Sequence, residues 1–388
     1  MPELPEVEAA RKRLASIATG KRVKSVTTNE DSIVFSGTTH NHFATAIEGK
    51  TVKAVRRKGK NFYMVLADST LHPLLHFGMS GMAHVRGQPS PVYRVPRSAS
   101  PADDWPPKYM KAAIVFEDPA TGETSDWAFC DARRLGRIKL VEAHEGEVER
   151  HPPLSELGAD PLLDMPSVDV LRTALARRNA PIKAVLLDQN GPLCGIGNYL
   201  VDEICYQAAI HPSVPASYLA LPAQSSLFDT LHTQIRTVVD TAVAADADAS
   251  RFPQTWLFQH RWSKGKKKKD DDLGFTLPDG RTATISFVTV GGRTSAVVDE
   301  VQVLPTDLAT TPGKKRASRA APTKKRKSKV DEEEPVEEGV GDEEARKKQE
   351  GDDVTSPHFK RVEKLADSPS PTKRRRRAKP KQEDDHEQ

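Results

Sequence analysis

The first residues of the chain combine a secondary amine with two nearby carboxylates. Removal of Met1 exposes the ring nitrogen of Pro2, which Glu3 follows directly and Glu6 three residues later. An α-amino group has a pKa of roughly 7.7–8.0, so a useful fraction is uncharged and nucleophilic near neutral pH. Attack of this amine on a sugar C1′ gives an iminium ion, which draws electrons from C2′ and permits strand cleavage by β-elimination. Glu3 can protonate the ring oxygen, and Glu6 can orient the amine or a water.

A simpler interpretation of these residues stays open at this point. Many chains begin with Met-Pro, and acidic residues in a first helical turn stabilise its positive end. Residues 3–18 have the pattern of such a helix, with Pro5 at a first-turn position and an apolar stripe formed by Val7, Leu14 and Ile17.

After this helix the hydrophobic period changes to that of extended strands. Short runs rich in β-branched and aromatic residues are separated by turn residues, which is typical of a β-sandwich. A stretch rich in Pro and Ser, from 87 to 107, predicts a long surface loop. The predicted strands cover residues 22–27, 32–35, 51–57, 62–66, 111–116, 127–129 and 137–141.

From about residue 155 apolar residues recur at helical spacing, which predicts a second, helical region. Helices are expected over 168–176, 182–187, 198–207 and 227–242. Beyond Phe252 the pattern returns to extended segments at 256–262, 284–290 and 294–304, with a basic and acidic loop at 264–272. The last two segments flank Gly291-Gly292, so we predict a β-hairpin there.

Composition limits the classes of protein that this chain can represent. Its 388 residues suffice for two folded domains, but only 37% are hydrophobic, and beyond Pro305 blocks of Lys and Arg alternate with blocks of Glu and Asp. Such a tail cannot offset its chain entropy by burial and should be disordered. No run approaches the roughly 18 apolar residues that cross a bilayer, and the N-terminus lacks the pattern of a secretory signal. We expect a soluble intracellular protein without a membrane partner.

The cysteines also exclude two kinds of site. Cys130, Cys194 and Cys205 are widely spaced and odd in number, so they build neither a disulfide framework nor a four-cysteine zinc site. They are most simply small buried residues in a protein of a reducing compartment.

The segment MPELPEVE, residues 1–8, resembles the N-terminus of formamidopyrimidine-DNA glycosylases, the Fpg/Nei family, almost letter for letter. Three further segments of the sandwich match the family in order. Residues 56–62 resemble its basic β-turn, which implies that Lys60 is a second acid/base and phosphate contact beside the nucleophile. Residues 76–81 resemble a strand and loop whose methionine, here Met79, enters the gap left by an extruded base. Residues 131–136 resemble a void-filling turn in which Arg133 faces the orphaned base and Leu135 wedges the stack.

Taken singly, these residues also have ordinary interpretations. A lysine in a turn is usually solvated, and a methionine such as Met79 is usually a core filler. Bacterial members of the family have Pro at the position of Ala132 and Phe at that of Leu135. This departure leaves the preference for the opposite base open.

Residues 187–203 match the helix-two-turn-helix module of the same family. We expect Gly195 and Gly197 to let the backbone approach a phosphate, and Asn198 to open a helix whose N–H groups and dipole attract that anion. Lys183 is predicted to add a point charge to the same phosphate contact. The rival interpretation is a nucleotide-binding loop, but no strand precedes the glycines and the spacing is not G-x-G-x-x-G.

The segment GGRTS, residues 291–295, resembles the tip of the family's C-terminal hairpin. The resemblance implies that Arg293 is a minor-groove arginine that contacts phosphates and assists δ-elimination. As an isolated feature, an arginine after two glycines is a routine turn. Most bacterial members build this hairpin around a zinc held by four cysteines, which are missing here. The chain therefore resembles the zincless type of plant and fungal relatives, and we expect neither a metal nor another cofactor.

The resemblance covers about residues 2–304 and implies an α+β fold. Its parts are an N-terminal helix with a catalytic β-sandwich domain (2–150), a helix-two-turn-helix DNA-binding domain (151–250), a zincless finger hairpin (251–305) and a disordered charged tail (306–388). The implied protein is a monomer that binds damaged double-stranded DNA in the cleft between its domains. The implied activity is that of a bifunctional glycosylase and AP lyase of base excision repair, which extrudes and excises oxidised or ring-opened bases and cleaves the strand by β,δ-elimination.

Two other functions stay open from the sequence. A non-enzymatic DNA-binding protein could retain this fold, although it would not require Pro2, Glu3, Lys60 and Arg293 together. A glycosylase that acts mainly on oxidised pyrimidines is the closer alternative. Residues 245–255 show no resemblance to the family's base-capping loop, so activity on 8-oxoguanine is not specified.

Basic clusters in the tail indicate a location for the protein. Residues 314–316, 324–327 and 373–377 resemble nuclear localisation signals and would also attract DNA phosphates. We predict a nuclear protein, with a merely solubilising tail as the alternative.

Overall fold

The computed structural model describes residues 2–89, 105–261, 275–277 and 279–309. The predicted disorder and nuclear signals of the tail therefore lie outside the described residues, as do the loop at 264–272 and most of the loop at 87–107. Within the described ranges, no helix is long and apolar enough to cross a membrane.

The first helix, α1 (Leu4–Ala18), begins as its sequence predicts, with a proline and an acidic residue in its first turn. Val7, Ala10 and Leu14 lie on one face and pack into the core of the β-sandwich. Leu4, at its first turn, packs instead into the core of the helical region. The helix thus joins the two hydrophobic cores at its N-terminal end.

Two four-stranded antiparallel sheets follow and form the predicted sandwich, in the orders β1-β6-β7-β5 and β2-β3-β4-β8. Phe62, Phe77, Trp127 and Phe129 are fully buried between them and contact one another. The elements are β1 (Arg22–Thr28), α2 (His40–Ile47), β2 (Val52–Lys58), β3 (Asn61–Leu66), β4 (Leu71–His76), β5 (Met82–Val85), β6 (Met110–Glu117), β7 (Thr124–Cys130) and β8 (Arg137–Glu142).

Sequence patterns predicted most of these strands but not all of them. The strand predicted over 32–35 is wrong, because the Asp31 carboxylate accepts hydrogen bonds from the backbone N–H groups of Ile33 and Val34 and bends the chain into a turn. Strand β4 was not predicted, because Pro73 interrupts its pattern. Helix α2 and the short strand β5 were also missed.

The second region is helical, and its predicted helices occur at the predicted residues. Its longest helix buries Phe228, Leu231, Ile235 and Val238, spaced three or four residues apart, against the other helices. The helices are α3 (Val168–Ala176), α4 (Ile182–Leu187), α5 (Asn198–Gln207), α6 (Ala216–Leu219) and α7 (Ser225–Ala244), with a last short helix α8 (Thr306–Ala309).

The predicted hairpin is formed by β11 (Ile285–Val290) and β12 (Arg293–Val298), after a two-stranded pair β9 (Phe275–Thr276) and β10 (Thr282–Ala283). Its two-residue turn has φ values of 60° at Gly291 and 73° at Gly292, which only glycine adopts without strain. Strand β12 ends at Val298, earlier than predicted, because the chain turns and the N–H groups of Val301 and Gln302 donate to the carbonyl oxygen of Val298.

The extended segment predicted at 256–262 is also wrong. Leu257–Gln259 form a short 3-10 helix. Trp256, Leu257 and Phe258 are buried consecutively, whereas a half-buried strand would alternate buried and exposed residues.

Candidate active site

The N-terminus of α1 meets the N-terminus of α5 at the junction of the sandwich and the helical region. Pro2 and Glu3 are buried there, and Glu3 is only 1% exposed. The two carboxylate oxygens of Glu3 accept hydrogen bonds from the backbone N–H groups of Tyr199 (2.9 Å) and Leu200 (3.2 Å). The N–H of Leu4 donates to the carbonyl oxygen of Gly195 at 3.1 Å. These bonds hold the residue that follows Pro2 in one position.

The glycines of the Gly-Ile-Gly-Asn turn make room for Glu3 and Leu4. A Cβ on Gly197 would lie 2.1 Å from Cδ of Glu3, and one on Gly195, whose φ is +84°, would lie 2.6 Å from Cδ1 of Leu4. The first-turn N–H groups of α5, which we expected to attract a phosphate, are occupied by Glu3. The anion at this helix N-terminus is therefore a side chain of the protein, and the glycines make room for it.

A second buried carboxyl group, Glu6, lies beside the first. Its Oε2 accepts a hydrogen bond from the backbone N–H of Glu3 at 2.8 Å. Burial, followed by repulsion from Glu3, raises the pKa of Glu6 to about 8. Burial also raises the pKa of Glu3, although the positive charge of Lys60 and the two backbone donors act in the opposite direction. Both carboxyl groups are therefore more easily protonated than exposed ones.

Sequence reasoning missed Tyr199 as part of this site. Its backbone N–H binds Glu3, and burial, Glu6 and Glu3 raise the pKa of its side chain well above the ordinary value. Its position directly after the Gly-Ile-Gly-Asn turn was the available signal.

Lys60 reaches the same site from the turn between β2 and β3. Its Nζ donates to the carbonyl oxygen of Ile196 at 2.9 Å, within the Gly-Ile-Gly-Asn turn. Burial lowers the pKa of Lys60, while the negative charges of Glu3 and Glu6 act to raise it and the positive charge of Arg293 acts to lower it. The predicted catalytic residues are thus close enough to influence one another electrostatically.

A buried ion cluster holds the turn that carries Lys60. The guanidinium of Arg57 is paired with Glu8 of α1 at 3.0 Å and with Asp160, which precedes α3. Asp160 also accepts a hydrogen bond from the backbone N–H of Gly59 at 2.7 Å. The motif analysis did not single out Asp160. The structure identifies Asp160, because the chain turns back on its carboxylate and the backbone N–H groups of Leu162 and Leu163 also donate to it.

Asn198 and the hairpin tip lie together beside these groups. Arg293 is exposed at the start of β12, and Nδ2 of Asn198 donates to the carbonyl oxygen of the next residue, Thr294, at 3.2 Å. An amide nitrogen carries two N–H groups, so one remains available to an external acceptor. A Cβ on Gly291 would approach Ala184 of α4 to 3.0 Å, which places the turn against the helical region.

Lys183, which was predicted to contact a phosphate, is buried. It is completely shielded from solvent, and its Nζ donates to Asp202 at 2.7 Å and to the carbonyl oxygen of Thr294 at 3.0 Å. An ammonium group committed to buried acceptors does not fit the predicted direct contact with a DNA phosphate.

Met79, Arg133 and Leu135 lie on two adjoining loops of the sandwich. Met79 is 44% exposed and Leu135 is 38% exposed, so Met79 is not a core filler. The loops are in close contact, since a Cβ on Gly78 would lie 2.1 Å from the carbonyl oxygen of Leu135. The exposed side chains therefore lie along one edge of the sandwich.

The carboxylate of Asp131 joins these two loops. It is 1% exposed and accepts hydrogen bonds from Oγ of Ser80 (2.7 Å) and from the N–H groups of Arg133 (3.1 Å) and Gly136 (2.6 Å). Its motif was recognised in the sequence, but its position between the loops was not.

Family models and relatives agree with this arrangement. The model of the formamidopyrimidine-DNA glycosylase N-terminal domain matches residues 1–138, and that of the formamidopyrimidine-DNA glycosylase H2TH domain matches residues 157–254. A formamidopyrimidine-DNA glycosylase of Arabidopsis thaliana is 40% identical over 305 residues, which cover 78% of this chain and 71% of the relative. One of Methylorubrum extorquens is 33% identical over 319 residues, which cover 79% and 99%.

Solved structures show the same fold. The Lactococcus lactis formamidopyrimidine-DNA glycosylase bound non-covalently to DNA that contains an AP site matches with a TM-score of 0.57 and 22% identity, over 77% of this chain and 99% of that one. A variant of that enzyme in complex with DNA that contains Fapy-dG has a TM-score of 0.59 at 23% identity, over 78% and 99%. From its two matched domains and its full-length relatives, the chain belongs to the formamidopyrimidine-DNA glycosylase family.

Proposed function

We propose that this chain is a bifunctional DNA glycosylase and AP lyase of base excision repair, with the amine of Pro2 as its nucleophile. Its substrates are oxidised or ring-opened bases in double-stranded DNA. The observation that carries the proposal is that the carboxyl groups of Glu3 and Glu6 are buried together directly after Pro2. Lys60 binds the turn that packs against Glu3. A protein that only bound DNA would not require buried, mutually repelling carboxyl groups beside its N-terminus.

In the first step the Pro2 nitrogen forms a bond to C1′ of the damaged nucleotide. The bond from C1′ to the base breaks, and the base leaves with its electron pair and takes up a proton in place of the one that the Pro2 nitrogen loses. The sugar ring then opens as O4′ takes a proton from Glu3, whose raised pKa keeps a proton available. The product is an iminium ion that joins the proline ring to the open sugar.

In the second step the iminium ion cleaves the strand. Loss of a proton from C2′ moves electrons toward the iminium and expels the 3′ phosphate, and a second elimination expels the 5′ phosphate. Burial lowers the pKa of Lys60, so a fraction of its amine is neutral and can accept a proton. We expect Arg293 and the second N–H of Asn198 to contact the phosphates that leave, and the bond from Asn198 to the residue after Arg293 supports this assignment.

The exposed edge of the sandwich, formed by Met79, Arg133 and Leu135, acts on the gap that the extruded base leaves in the duplex. A base inside a duplex is extruded before it reacts, at a cost of a few kcal/mol. Met79 and Leu135 fill the gap, and Arg133 contacts the orphaned base. Their exposure on two linked loops supports this assignment.

We extend the proposal to the organisation of the molecule. The catalytic domain spans 2–150, the DNA-binding domain 151–250, the hairpin 251–305 and the tail 306–388, and the protein acts as a monomer. The hairpin is a zincless finger, in which Ala296 and Val298 pack against Leu257 and Phe275. Basic clusters of the tail direct the protein to the nucleus. Deleting 313–388 should leave excision on short duplexes intact but redistribute the protein in cells, and unchanged nuclear retention would contradict the role of the tail.

Borohydride trapping tests the proposed chemistry directly. A duplex with one abasic site should form a reduced covalent adduct with the wild-type protein, and peptide mass spectrometry should map the adduct to residue 2. Pro2→Gly should reduce trapping strongly, whereas Pro5→Ala, with the terminal proline intact, is the matched control. A wild-type protein that forms no adduct, or forms it at another residue, would overturn the proposal.

A further inference from the structure

Three charged side chains form a buried cluster that the proposed chemistry does not use. Oδ1 of Asp202 lies 2.7 Å from Nζ of Lys183, and its Oδ2 lies 2.6 Å from Nη2 of Arg261. The side chains of the three are 1%, 0% and 5% exposed, respectively. Lys183 belongs to α4 and Asp202 to α5, and Arg261 follows the 3-10 helix at Leu257–Gln259. One carboxylate thus joins three separate elements.

The same three side chains hold the backbone that carries the proposed phosphate ligands. Lys183 donates to the carbonyl oxygen of Thr294 at 3.0 Å, and this oxygen also accepts the bond from Asn198. Arg261 donates to the carbonyl oxygen of Asn198 at 3.2 Å. The cluster therefore binds the backbone of the residue after Arg293 on one side and the backbone of Asn198 on the other.

The hairpin depends on such contacts for its orientation. Strands β11 and β12 pair only with each other within the described residues, so no neighbouring strand fixes their angle to α5. The apolar cluster around Ala296 and Val298 holds the hairpin in place, but apolar contacts are not directional. Hydrogen bonds and ion pairs are directional, and the N–H of Ala296 also points to Asp202, at 3.4 Å.

Stability alone is a weak reason for this cluster. Removing three charged groups from water is costly, and apolar residues of similar volume often stabilise a protein equally well or better. The charged cluster fixes the distance between the hairpin tip and the start of α5, which apolar packing would not do.

We propose that Lys183, Asp202 and Arg261 are positioning residues that hold Arg293 and Asn198 at the spacing required to bind the DNA phosphates beside the lesion. This inference rests on the proposed function. The cluster does not touch the reacting atoms, so its loss should affect phosphate binding and the second elimination rather than attack by Pro2.

The first test is Asp202→Asn in the full-length protein, assayed on a duplex with one abasic site. The KM should rise by about tenfold or more, and the products should shift from δ- toward β-elimination, because a small displacement of a distant group weakens such contacts strongly. The single-turnover rate of borohydride adduct formation at saturating enzyme should stay within about threefold of the wild type. Asp229→Asn is the control, since Asp229 on α7 forms an exposed 2.9 Å ion pair with Arg172 on α3 in the same region.

A double-mutant cycle separates positioning from a general loss of stability. If the cluster acts through Arg293, then Asp202→Asn should add little to the effect of Arg293→Ala on KM and product ratio. Fully additive effects would contradict the inference. Asp202→Glu, which keeps the charge, should recover part of the wild-type product ratio.

Asp202→Asn leaves two cations without their anion and can destabilise the fold. The combined variant Lys183→Met, Asp202→Leu and Arg261→Met avoids this problem by making the cluster apolar. It should fold and show the same shift in KM and products. A folded triple variant with wild-type KM and product ratio would overturn the inference while leaving the Pro2 adduct, and with it the proposed function, intact.

Discussion

At the scale of single residues, the site depends on where protons are held. Glu3 occupies the N-terminus of α5, where two backbone N–H groups bind it, and Glu6 binds the N–H of Glu3 in turn. The two carboxyl groups are buried side by side, so they cannot both ionise without strong repulsion. The protonation states of Glu3 and Glu6 are therefore coupled, directly beside Pro2.

Glu3→Gln tests the role of the acid. The amide retains an oxygen that can accept a hydrogen bond from α5, but it has no proton to transfer to O4′. Excision of a damaged base should fall by at least about a hundredfold, as expected for loss of a general acid. Adduct formation at a preformed abasic site, whose sugar is partly open already, should fall much less. Single-turnover rates on the two duplexes check this, and equal losses on both would argue against the assigned role.

Glu6 should make stability depend on pH. Its pKa is about 8 in the folded protein and 4.5 in an exposed group, so the folded state retains a proton between these values that the unfolded state releases. The free energy of unfolding should therefore decrease as pH rises from about 4.5 to 8, by up to about 1.4 kcal/mol per pH unit from this group. Glu6→Gln should remove this part of the slope. Urea unfolding across that pH range measures it, and parallel curves for the two proteins would contradict the prediction.

At the scale of elements, turns and helix ends decide which side chains meet. The void-filling turn is held to the Met79 loop by a single buried carboxylate, and Arg134 of the same turn pairs with Asp31 at 2.9 Å. The Gly-Ile-Gly-Asn turn makes room for the N-terminus of α1. Each of these local structures positions a side chain from another part of the chain.

Asp131→Asn should separate gap filling from chemistry. An amide can replace only part of the three hydrogen bonds that the carboxylate accepts, so the two loops should lose their alignment. Activity on duplex DNA should fall by about tenfold or more, because a misplaced wedge supports base extrusion poorly. Cleavage of a single-stranded abasic oligonucleotide, where no gap forms, should change little. Asp126→Asn is the control, since Asp126 lies on β7 in an exposed 3.5 Å pair with Arg86; equal losses on both substrates would count against the prediction.

Gly197→Ala should displace Glu3. The added Cβ would lie 2.1 Å from Cδ of Glu3, which no relaxation of a few tenths of an ångström relieves. Base excision and adduct formation should both be lost. Gly146→Ala, where a Cβ meets nothing within 4 Å, should behave as the wild type. Trapping assays on both variants check this, and an active Gly197→Ala protein would show that the close approach of α1 is dispensable.

At the scale of the whole molecule, the active site lies where two hydrophobic cores meet. Helix α1 contributes to both cores, and the buried cluster of Arg57, Glu8 and Asp160 crosses the same junction. Neither region alone can build the site, because Lys60 belongs to the sandwich and Tyr199 to the helical region.

Asp160→Ala tests this coupling. It leaves the Arg57 guanidinium buried with a single anionic partner and frees the turn of Lys60. The free energy of unfolding should decrease by roughly 3–5 kcal/mol, the usual cost of breaking a buried pair. The exposed pair of Arg172 and Asp229 is the comparison, since Asp229→Ala should cost less than about 1 kcal/mol. Urea unfolding measures both, and equal small effects would contradict the structural role of Asp160.

The sequence by itself determined the family and most of the elements, and it named the residues that we propose to be reactive. Hydrophobic period, helix-capping residues and turn glycines are local properties, and they predicted α1, α3, α4, α5, α7 and the hairpin at Gly291-Gly292. The proposed chemistry of Pro2, Glu3 and Lys60 came from the resemblance of their segments to the family, because each residue taken alone also has an ordinary interpretation. Where local patterns were interrupted, as by Pro73 in β4 or the Asp31 turn, the prediction failed.

Only the tertiary structure decided which groups share a charge or a hydrogen bond. From the sequence the α5 N-terminus was expected to hold a phosphate, but Glu3, 196 residues away in the chain, occupies it. Lys183 was expected to contact a DNA phosphate, but Asp202 and the carbonyl oxygen of Thr294 bind it in the interior. Such partners are set by packing in three dimensions, because a buried charge is costly unless an opposite charge or a hydrogen-bonding group lies beside it. The spacing of residues in the sequence does not give the distance between such groups in the folded protein.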